Sequence, residues 1–120
     1  MKPFPELFEL VDFFECEPIL YDPEGDWYYN HLTFKTIRNN ERIECELEPA
    51  DSVLNFRWFQ EEREVLNVRL QTVRELRIET RGGNEILRAT LFSESPDIGP
   101  LLIIQIKPSV HIYLEMKENY

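Results

Sequence analysis

The sequence predicts one mainly β (α+β) domain, in which an N-terminal helix precedes an antiparallel β-meander of about eight strands forming a sandwich, half-barrel or curved sheet. Apolar residues recur at helical spacing only near the N-terminus, and they alternate with charged residues through most of the remainder. The length of 120 residues and the hydrophobic fraction of 42% suffice for one core. We therefore predict a single domain, 1–120, with a helix in 1–16 and a β-sheet region in 27–116.

The N-terminal helix is predicted from apolar residues spaced three and four positions apart, as in an amphipathic helix. The residues with this spacing are Phe4, Leu7, Phe8, Val11 and Phe14. Pro18 ends the helix, because the residue before a proline is pushed out of the α region. The following segment, Glu17 to Asp26, contains two prolines and a glycine and is predicted to be a loop.

Strands are predicted where apolar and polar residues alternate. Clear alternation covers 43–48, 54–58, 66–70, 75–79 and 87–91, and more continuously apolar runs cover 101–106 and 110–116. Turn-forming residues lie between these runs, as in Asn39-Asn40 and Gly82-Gly83. We therefore expect short hairpins between neighbouring strands.

Negative charge is concentrated near the N-terminus. The net charge is −10, and residues 1–30 carry eight acids with Lys2 as the only cation. Direct binding to nucleic acid is disfavoured, because phosphate contacts need a basic surface. A basic protein is the favoured partner.

The candidate partner-binding residues are acidic and lie on the predicted helix and the loop after it. Like charges at three-residue spacing repel, and an acid near a helix C-terminus opposes the macrodipole, so folding alone does not favour this arrangement. A solvated face that aids solubility is the alternative interpretation. The predicted set, which includes one aromatic anchor, is Glu6, Glu9, Asp12, Glu15, Asp22, Glu24, Asp26 and Trp27.

No residue pattern indicates catalysis, a metal site or a cofactor. Cys16 and Cys45 lack a second ligand at metal-binding spacing and are predicted to be buried thiols. Neither His31 nor His111 lies beside a nucleophile in the sequence, although folding could bring His31 to Glu44. We predict a non-enzymatic protein without metal or cofactor.

Four arginines fall on the polar side of successive predicted strands: Arg57, Arg69, Arg77 and Arg88. If those strands are neighbours, the guanidinium groups form a row across one sheet face. Cross-strand ion pairing with glutamates is the favoured interpretation, and an anion-binding surface is the alternative.

The sequence indicates a soluble protein without a membrane partner. No run approaches the roughly 18 to 20 apolar residues of a membrane helix. The N-terminus lacks the apolar stretch of a signal peptide. We therefore expect a cytoplasmic location.

In size, acidity and β content the chain resembles the small acidic bacterial immunity proteins of toxin systems. The resemblance implies an inhibitor that neutralises a basic partner, such as a toxin nuclease domain, through the acidic N-terminal surface. A phage-encoded inhibitor of a defence enzyme would have the same properties. Two other functions stay open: a small-molecule or lipid-binding β domain with an apolar pocket lined by Phe56, Trp58 and 101–106, and a hydrolase using His31 or His111.

Overall fold

The computed structural model describes residues 1, 3–92 and 100–115. Within these residues the chain has one helix, α1 (Leu7–Phe14), and two antiparallel sheets with the strand orders β1-β2-β3-β4-β5 and β6-β7-β8-β9. The strands are β1 (Ile19–Leu20), β2 (Leu32–Arg38), β3 (Glu41–Glu48), β4 (Val53–Gln60), β5 (Arg63–Leu70), β6 (Val73–Arg81), β7 (Asn84–Leu91), β8 (Leu101–Gln105) and β9 (His111–Glu115). The predicted mainly β fold with an N-terminal helix and a meander is confirmed. Lys2 and Met116, near the ends of the predicted helix and β region, lie outside the described residues.

The chain divides into two compact units. One unit is Glu6–Gln71, which contains α1 and β1 to β5, and the other is Met1–Pro5 with Thr72–Tyr120, which contains β6 to β9. The single-domain organisation stays a prediction.

In the unit Glu6–Gln71, the core lies between α1 and the inner face of the five-stranded sheet. Strand β3 buries Ile43, Cys45 and Leu47 at alternate positions, as its sequence pattern predicts. The ring of Phe14, in α1, stacks on that of Phe34 in β2 with centroids 4.7 Å apart. These contacts fix the helix against the sheet, because aromatic rings bury large apolar areas.

Helix α1 is shorter than the predicted 1–16, because its end residues leave helical geometry. Glu6 is extended (φ −69°, ψ 155°), and its backbone N–H donates to the Glu9 carboxylate at 3.0 Å. Glu15 adopts the left-handed conformation (φ 57°) that commonly ends helices. The Thr36 hydroxyl donates to the Phe14 carbonyl at 2.6 Å, so a carbonyl of the last helical turn has a partner from the sheet.

The other unit is built on the four-stranded sheet. Its core contains Leu76, Leu87, Leu102 and Ile104, each at most 1% exposed. The N-terminal segment joins this unit, since the Leu76 N–H donates to the Pro3 carbonyl at 3.0 Å. Strands β6 and β7 are joined through Gly82 and Gly83, which both have positive φ as the predicted hairpin requires.

Two strands differ from the sequence predictions. The two-residue β1 lies inside the predicted loop and pairs with β2 through Ile19 and Leu20. Strand β2 buries the polar Thr36 and leaves Ile37 75% exposed, which weakens its alternation of apolar and polar residues. The pairing of β2 with β3 therefore defines this strand better than its own composition does.

Candidate partner-binding surface

The loop before β2 is held in place by the buried side chain of Asn30, which is 8% exposed. Its Oδ1 accepts hydrogen bonds from the Asp22 N–H at 3.1 Å and the His31 N–H at 3.0 Å. Its Nδ2 donates to the Asp22 carbonyl at 2.7 Å. One side chain thus satisfies three backbone groups and closes the loop.

Two acids of this loop use one carboxylate oxygen each to shape the backbone. Asp22 Oδ1 accepts from the Glu24 N–H at 3.2 Å, and Asp26 Oδ1 accepts from the Tyr28 N–H at 2.9 Å, where it caps a short 3₁₀ turn. An asparagine side chain oxygen can accept the same bonds. The fold therefore needs an acceptor at these positions and does not need the negative charge.

An acidic cleft of about 390 Å³ lies beside this loop. We define the acidic cleft by six of its lining residues, four of them acids: Tyr21, Asp22, Asp26, Tyr29, Glu48 and Asp51. Glu48 ends β3 and Asp51 belongs to the 3₁₀ turn that follows it, so two chain segments form the walls. The volume falls within the range of about 300 to 1,000 Å³ that is typical of ligand sites.

Strand register brings these two segments together. Leu32 of β2 pairs with Leu47 of β3, so His31 comes next to Glu48 across the strands. His31 Nδ1 lies 3.6 Å from Glu48 Oε1, and its Nε2 lies 3.3 Å from Glu46 Oε2. The His31 carbonyl also accepts from the Tyr21 N–H at 3.0 Å, which fixes the opposite rim.

Charge is compensated differently at the two ends of the five-stranded sheet. In the described part of the chain, no lysine or arginine pairs with Asp22, Asp26 or Asp51. At the other end, one β3 length of about 24 Å away, Glu62 pairs with Arg42 at 3.1 Å and Glu64 pairs with Arg57 at 3.0 Å. Three acids without an arginine or lysine partner among the described residues, Asp22, Asp26 and Asp51, therefore lie together at the end that carries the acidic cleft.

The predicted helix acids do not line this cleft. Only Glu9 and Asp12 lie within α1, and Glu6 and Glu15 are its capping residues. Glu9 is half-buried and caps the helix N-terminus, whereas the other three are exposed. Acids three residues apart on a helix are rotated by about 60°, so they spread around the helix and do not form a straight line.

The aromatic residues most exposed near the loop are not the one predicted from sequence. Trp27 is half-buried and its ring meets Tyr28 edge-on with centroids 5.9 Å apart. Tyr21 is 87% exposed and Tyr29 is 78% exposed. These two tyrosines, at the rim of the acidic cleft, present the larger free aromatic surfaces.

Sequence reasoning missed four of the six residues that define the acidic cleft: Tyr21, Tyr29, Glu48 and Asp51. Tyr21 lies in the predicted loop Glu17 to Asp26, and Tyr29 lies three residues after it. Glu48 and Asp51 lie at the end of β3 and in the turn that follows. The position of the turn Asn39-Asn40 was a usable signal, because a hairpin turn fixes which residues of its two strands lie opposite each other. That register places the residues before Leu32 opposite those after Leu47.

The histidines have partners different from those considered in the sequence analysis. His31 contacts Glu46 and Glu48, whereas Glu44 pairs with the arginines of β3 and β4. His111 Nε2 lies 2.9 Å from Ser109 Oγ in an exposed turn. Among the described residues, no group of three or more His, Cys, Asp and Glu side chains is arranged to hold a metal ion.

The two cysteines are free thiols with different environments. Cys45 is fully buried, and burial raises the pKa of its thiol far above the usual range. Cys16 is half-buried, and its sulfur lies 3.6 Å from Thr36 Oγ1. The prediction of a buried thiol thus holds fully for Cys45 and partly for Cys16.

The arginines considered as one row belong to two different sheets. Arg57 contacts Glu44 and Glu64 in the five-stranded sheet, and its hydrogen bond with Glu64 raises its pKa. In the four-stranded sheet, Arg88 lies directly opposite Arg77. Glutamates compensate these like charges, since Glu75 pairs with both arginines and Glu79 pairs with Arg88 at 3.1 Å. Ion pairing, the favoured interpretation, describes Arg57, Arg77 and Arg88.

The apolar residues suggested as pocket walls lie mainly in the core. Phe56 is 0% exposed, and Leu102, Ile103 and Ile104 are each at most 1% exposed. A second cleft, of about 520 Å³ at the β4–β5 hairpin, is lined mainly by polar residues. Across the described residues, no helix combines the length and apolar character needed to cross a membrane.

Comparison with known proteins gives one informative likeness. No family model matches the sequence, and no curated protein matches it either. Among solved structures, the fold is similar to a chain of a contact-dependent growth inhibition toxin–immunity protein complex from Klebsiella pneumoniae 342, with a TM-score of 0.79 and 17% identity. The alignment covers 93% of this chain and 94% of that chain. The fold is therefore similar to that of a chain from a toxin–immunity protein complex, the class of system that the sequence resemblance indicates.

Proposed function

We propose that this chain is a non-enzymatic, immunity-type inhibitor that neutralises a basic toxin domain by binding to it. The observation that carries the proposal is the fold similarity, over nearly the full length of both chains, to a component of a toxin–immunity protein complex. An inhibitor needs a binding surface and no catalytic group, which fits a chain whose predicted site residues are surface acids.

Net charge supports the inhibitor role over the toxin role. The chain carries a charge of −10 and has an isoelectric point near 4.6. A toxin that acts on nucleic acid needs basic residues for phosphate contacts, and an acidic inhibitor can occupy that basic surface. Opposite charge also speeds the encounter of the two proteins. We place this encounter in the bacterial cytoplasm, where a nuclease meets its substrate.

The proposed binding surface comprises the predicted acids and the acidic cleft. Glu6, Asp12 and Glu24 are exposed. Trp27 is half-buried, and Tyr29 is exposed two positions later in the same turn. The full predicted set on this surface is Glu6, Glu9, Asp12, Glu15, Asp22, Glu24, Asp26 and Trp27.

A growth assay tests the proposal. The polypeptide encoded by the adjacent reading frame is induced in a bacterial host with and without this chain, and colony-forming units are counted. We expect that polypeptide alone to arrest growth and coexpression to restore it. Growth that stays the same whether or not this chain is present would contradict the inhibitor role.

Charge-neutral variants test the acidic surface separately from the inhibitor role. The triple variant Glu6→Gln, Asp12→Asn and Glu24→Gln removes three charges from exposed positions. The matched control, Glu61→Gln, Glu62→Gln and Glu64→Gln, removes three charges at the far end of the sheet. We expect toxin affinity to fall about tenfold for the first variant and less than about twofold for the control. Equal losses would remove the case for this surface.

A further inference from the structure

We propose that the acidic cleft is a receptor for one arginine side chain of the basic partner. This inference rests on the proposed function, because it names the chemistry of the partner at that surface. The occupant follows from charge complementarity together with the aromatic rim formed by Tyr21 and Tyr29.

The cleft offers an uncompensated negative charge in a confined space. Asp22, Asp26 and Asp51 have no pairing lysine or arginine in the described chain, and Glu48 has only His31. The other described cleft differs, because Glu64 is paired there with Arg57 and the cation Arg63 itself belongs to the lining beside Glu41 and Glu61. A cation entering the acidic cleft therefore does not have to displace an arginine or lysine already bound there.

The rim favours a guanidinium over an ammonium group. Tyr21 and Tyr29 are 87% and 78% exposed, so their ring faces are available to a planar cation. Arginine stacks on aromatic rings and forms paired hydrogen bonds with carboxylates, whereas lysine acts as a compact, strongly hydrated charge. The same chain already uses this chemistry, since the Arg42 guanidinium lies 4.1 Å from the Phe59 ring centre.

Hydrogen bonds hold the loop wall of the cleft in place, which reduces the ordering needed on binding. The Asn30 side chain hydrogen-bonds the backbone at Asp22 and His31. Gly25 packs closely against the Asp22 carboxylate and the Asn30 side-chain amide. A Cβ atom at Gly25 would come within 2.8 Å of Asp22 Oδ2 and 3.0 Å of Asn30 Nδ2. Preorganised sites bind more tightly because less conformational entropy is lost.

The direct test uses acetyl-arginine methylamide as the probe, with acetyl-lysine methylamide as its comparison. Each is titrated into the isotope-labelled full chain, and backbone amide shifts are followed by NMR. We expect saturable shifts at Gly25, Asn30 and Asp51, with the arginine probe binding at least about threefold more tightly. Equal binding of the two probes, or shifts centred on Glu61 and Glu64, would overturn the proposal.

Isosteric variants separate this proposal from the proposed function. Asp22→Asn, Asp26→Asn and Asp51→Asn together keep the backbone acceptors and remove three charges, and a dispersed amide spectrum verifies that the variant folds. Asp51→Asn alone leaves the loop acceptors unchanged. We expect the triple variant to lose the arginine shifts and to protect growth less well than the matched triple variant at Glu61, Glu62 and Glu64. Full protection by the cleft variant would overturn the cleft as the partner's site and leave the inhibitor role intact, whereas failure of the wild-type chain to protect would refute the inhibitor role itself.

Discussion

The β4–β5 hairpin contains a turn whose residues oppose its backbone conformation, and replacing them should stabilise the protein. Gln60 pairs with Arg63, so Glu61 and Glu62 alone form the loop, with φ angles of 50° and 64°. Turns with two positive φ angles favour Asn-Gly, because a left-handed conformation costs an ordinary residue about 1 to 2 kcal/mol. The double variant Glu61→Asn and Glu62→Gly removes most of this cost.

The loss of the Glu62–Arg42 ion pair offsets part of the stability gained in the turn. Glu62 pairs with Arg42 at 3.1 Å, but the Glu62 side chain is 79% exposed, so the pair contributes about 0.2 to 1 kcal/mol. We therefore expect the double variant to raise the free energy of unfolding by about 1 to 2 kcal/mol, as the difference between relieved backbone strain and the lost ion pair. Urea denaturation followed by circular dichroism measures this value.

A matched control isolates the backbone contribution. Gly82 has a φ of 58°, and a Cβ atom placed there would meet nothing within 4 Å. Gly82→Ala should therefore lower the free energy of unfolding by about 1 kcal/mol through conformation alone. A less stable Glu61→Asn/Glu62→Gly variant, or a Gly82→Ala variant as stable as the wild type, would refute this reasoning.

Two further predictions concern the core of the unit Glu6–Gln71. Thr36→Ala leaves the buried Phe14 carbonyl without its 2.6 Å donor and should cost about 1 to 3 kcal/mol by denaturant titration, whereas Thr36→Ser should stay close to wild type; equal losses for both would contradict the hydrogen-bond account. Burial raises the pKa of the Cys45 thiol, so the thiol ionises more readily in the unfolded chain than in the folded one. The stabilisation from burying the neutral thiol is therefore complete below the unfolded pKa of about 8.5 and is lost as pH rises above it. The free energy of unfolding should therefore fall more steeply above pH 8.5 for wild type than for Cys45→Ala, and parallel curves would refute the burial effect.

The sequence predicted the meander because local signals agree with the fold. Strand β3 alternates a buried apolar residue with a charged one from Ile43 to Glu48, and the Gly82-Gly83 turn needs the positive φ angles that it has. Strand β2 was harder to define because Thr36 is buried and Ile37 is exposed. Its burial pattern depends on α1, whose last turn accepts the Thr36 hydrogen bond, and that contact links residues 22 positions apart.

The candidate site was predicted only in part, for a similar reason. Asp22 and Asp26 stand in an acidic segment that is visible in the sequence, whereas Glu48 and Asp51 reach the same cleft through the pairing of β2 with β3. Asn30, which orders the loop, has no distinguishing sequence pattern. The helix acids were predicted as binding residues from their three-residue spacing, although residues at this spacing rotate progressively around a helix.

The central claim is that this acidic chain inhibits by binding a basic toxin domain. The most direct measurement is isothermal titration of the purified full chain into the polypeptide encoded by the adjacent reading frame, at 50 and 200 mM salt. We predict a one-to-one complex whose affinity falls at least about tenfold over this salt range, as expected for association between opposite charges. Absence of a complex at low salt, or an affinity unchanged by salt, would contradict the account.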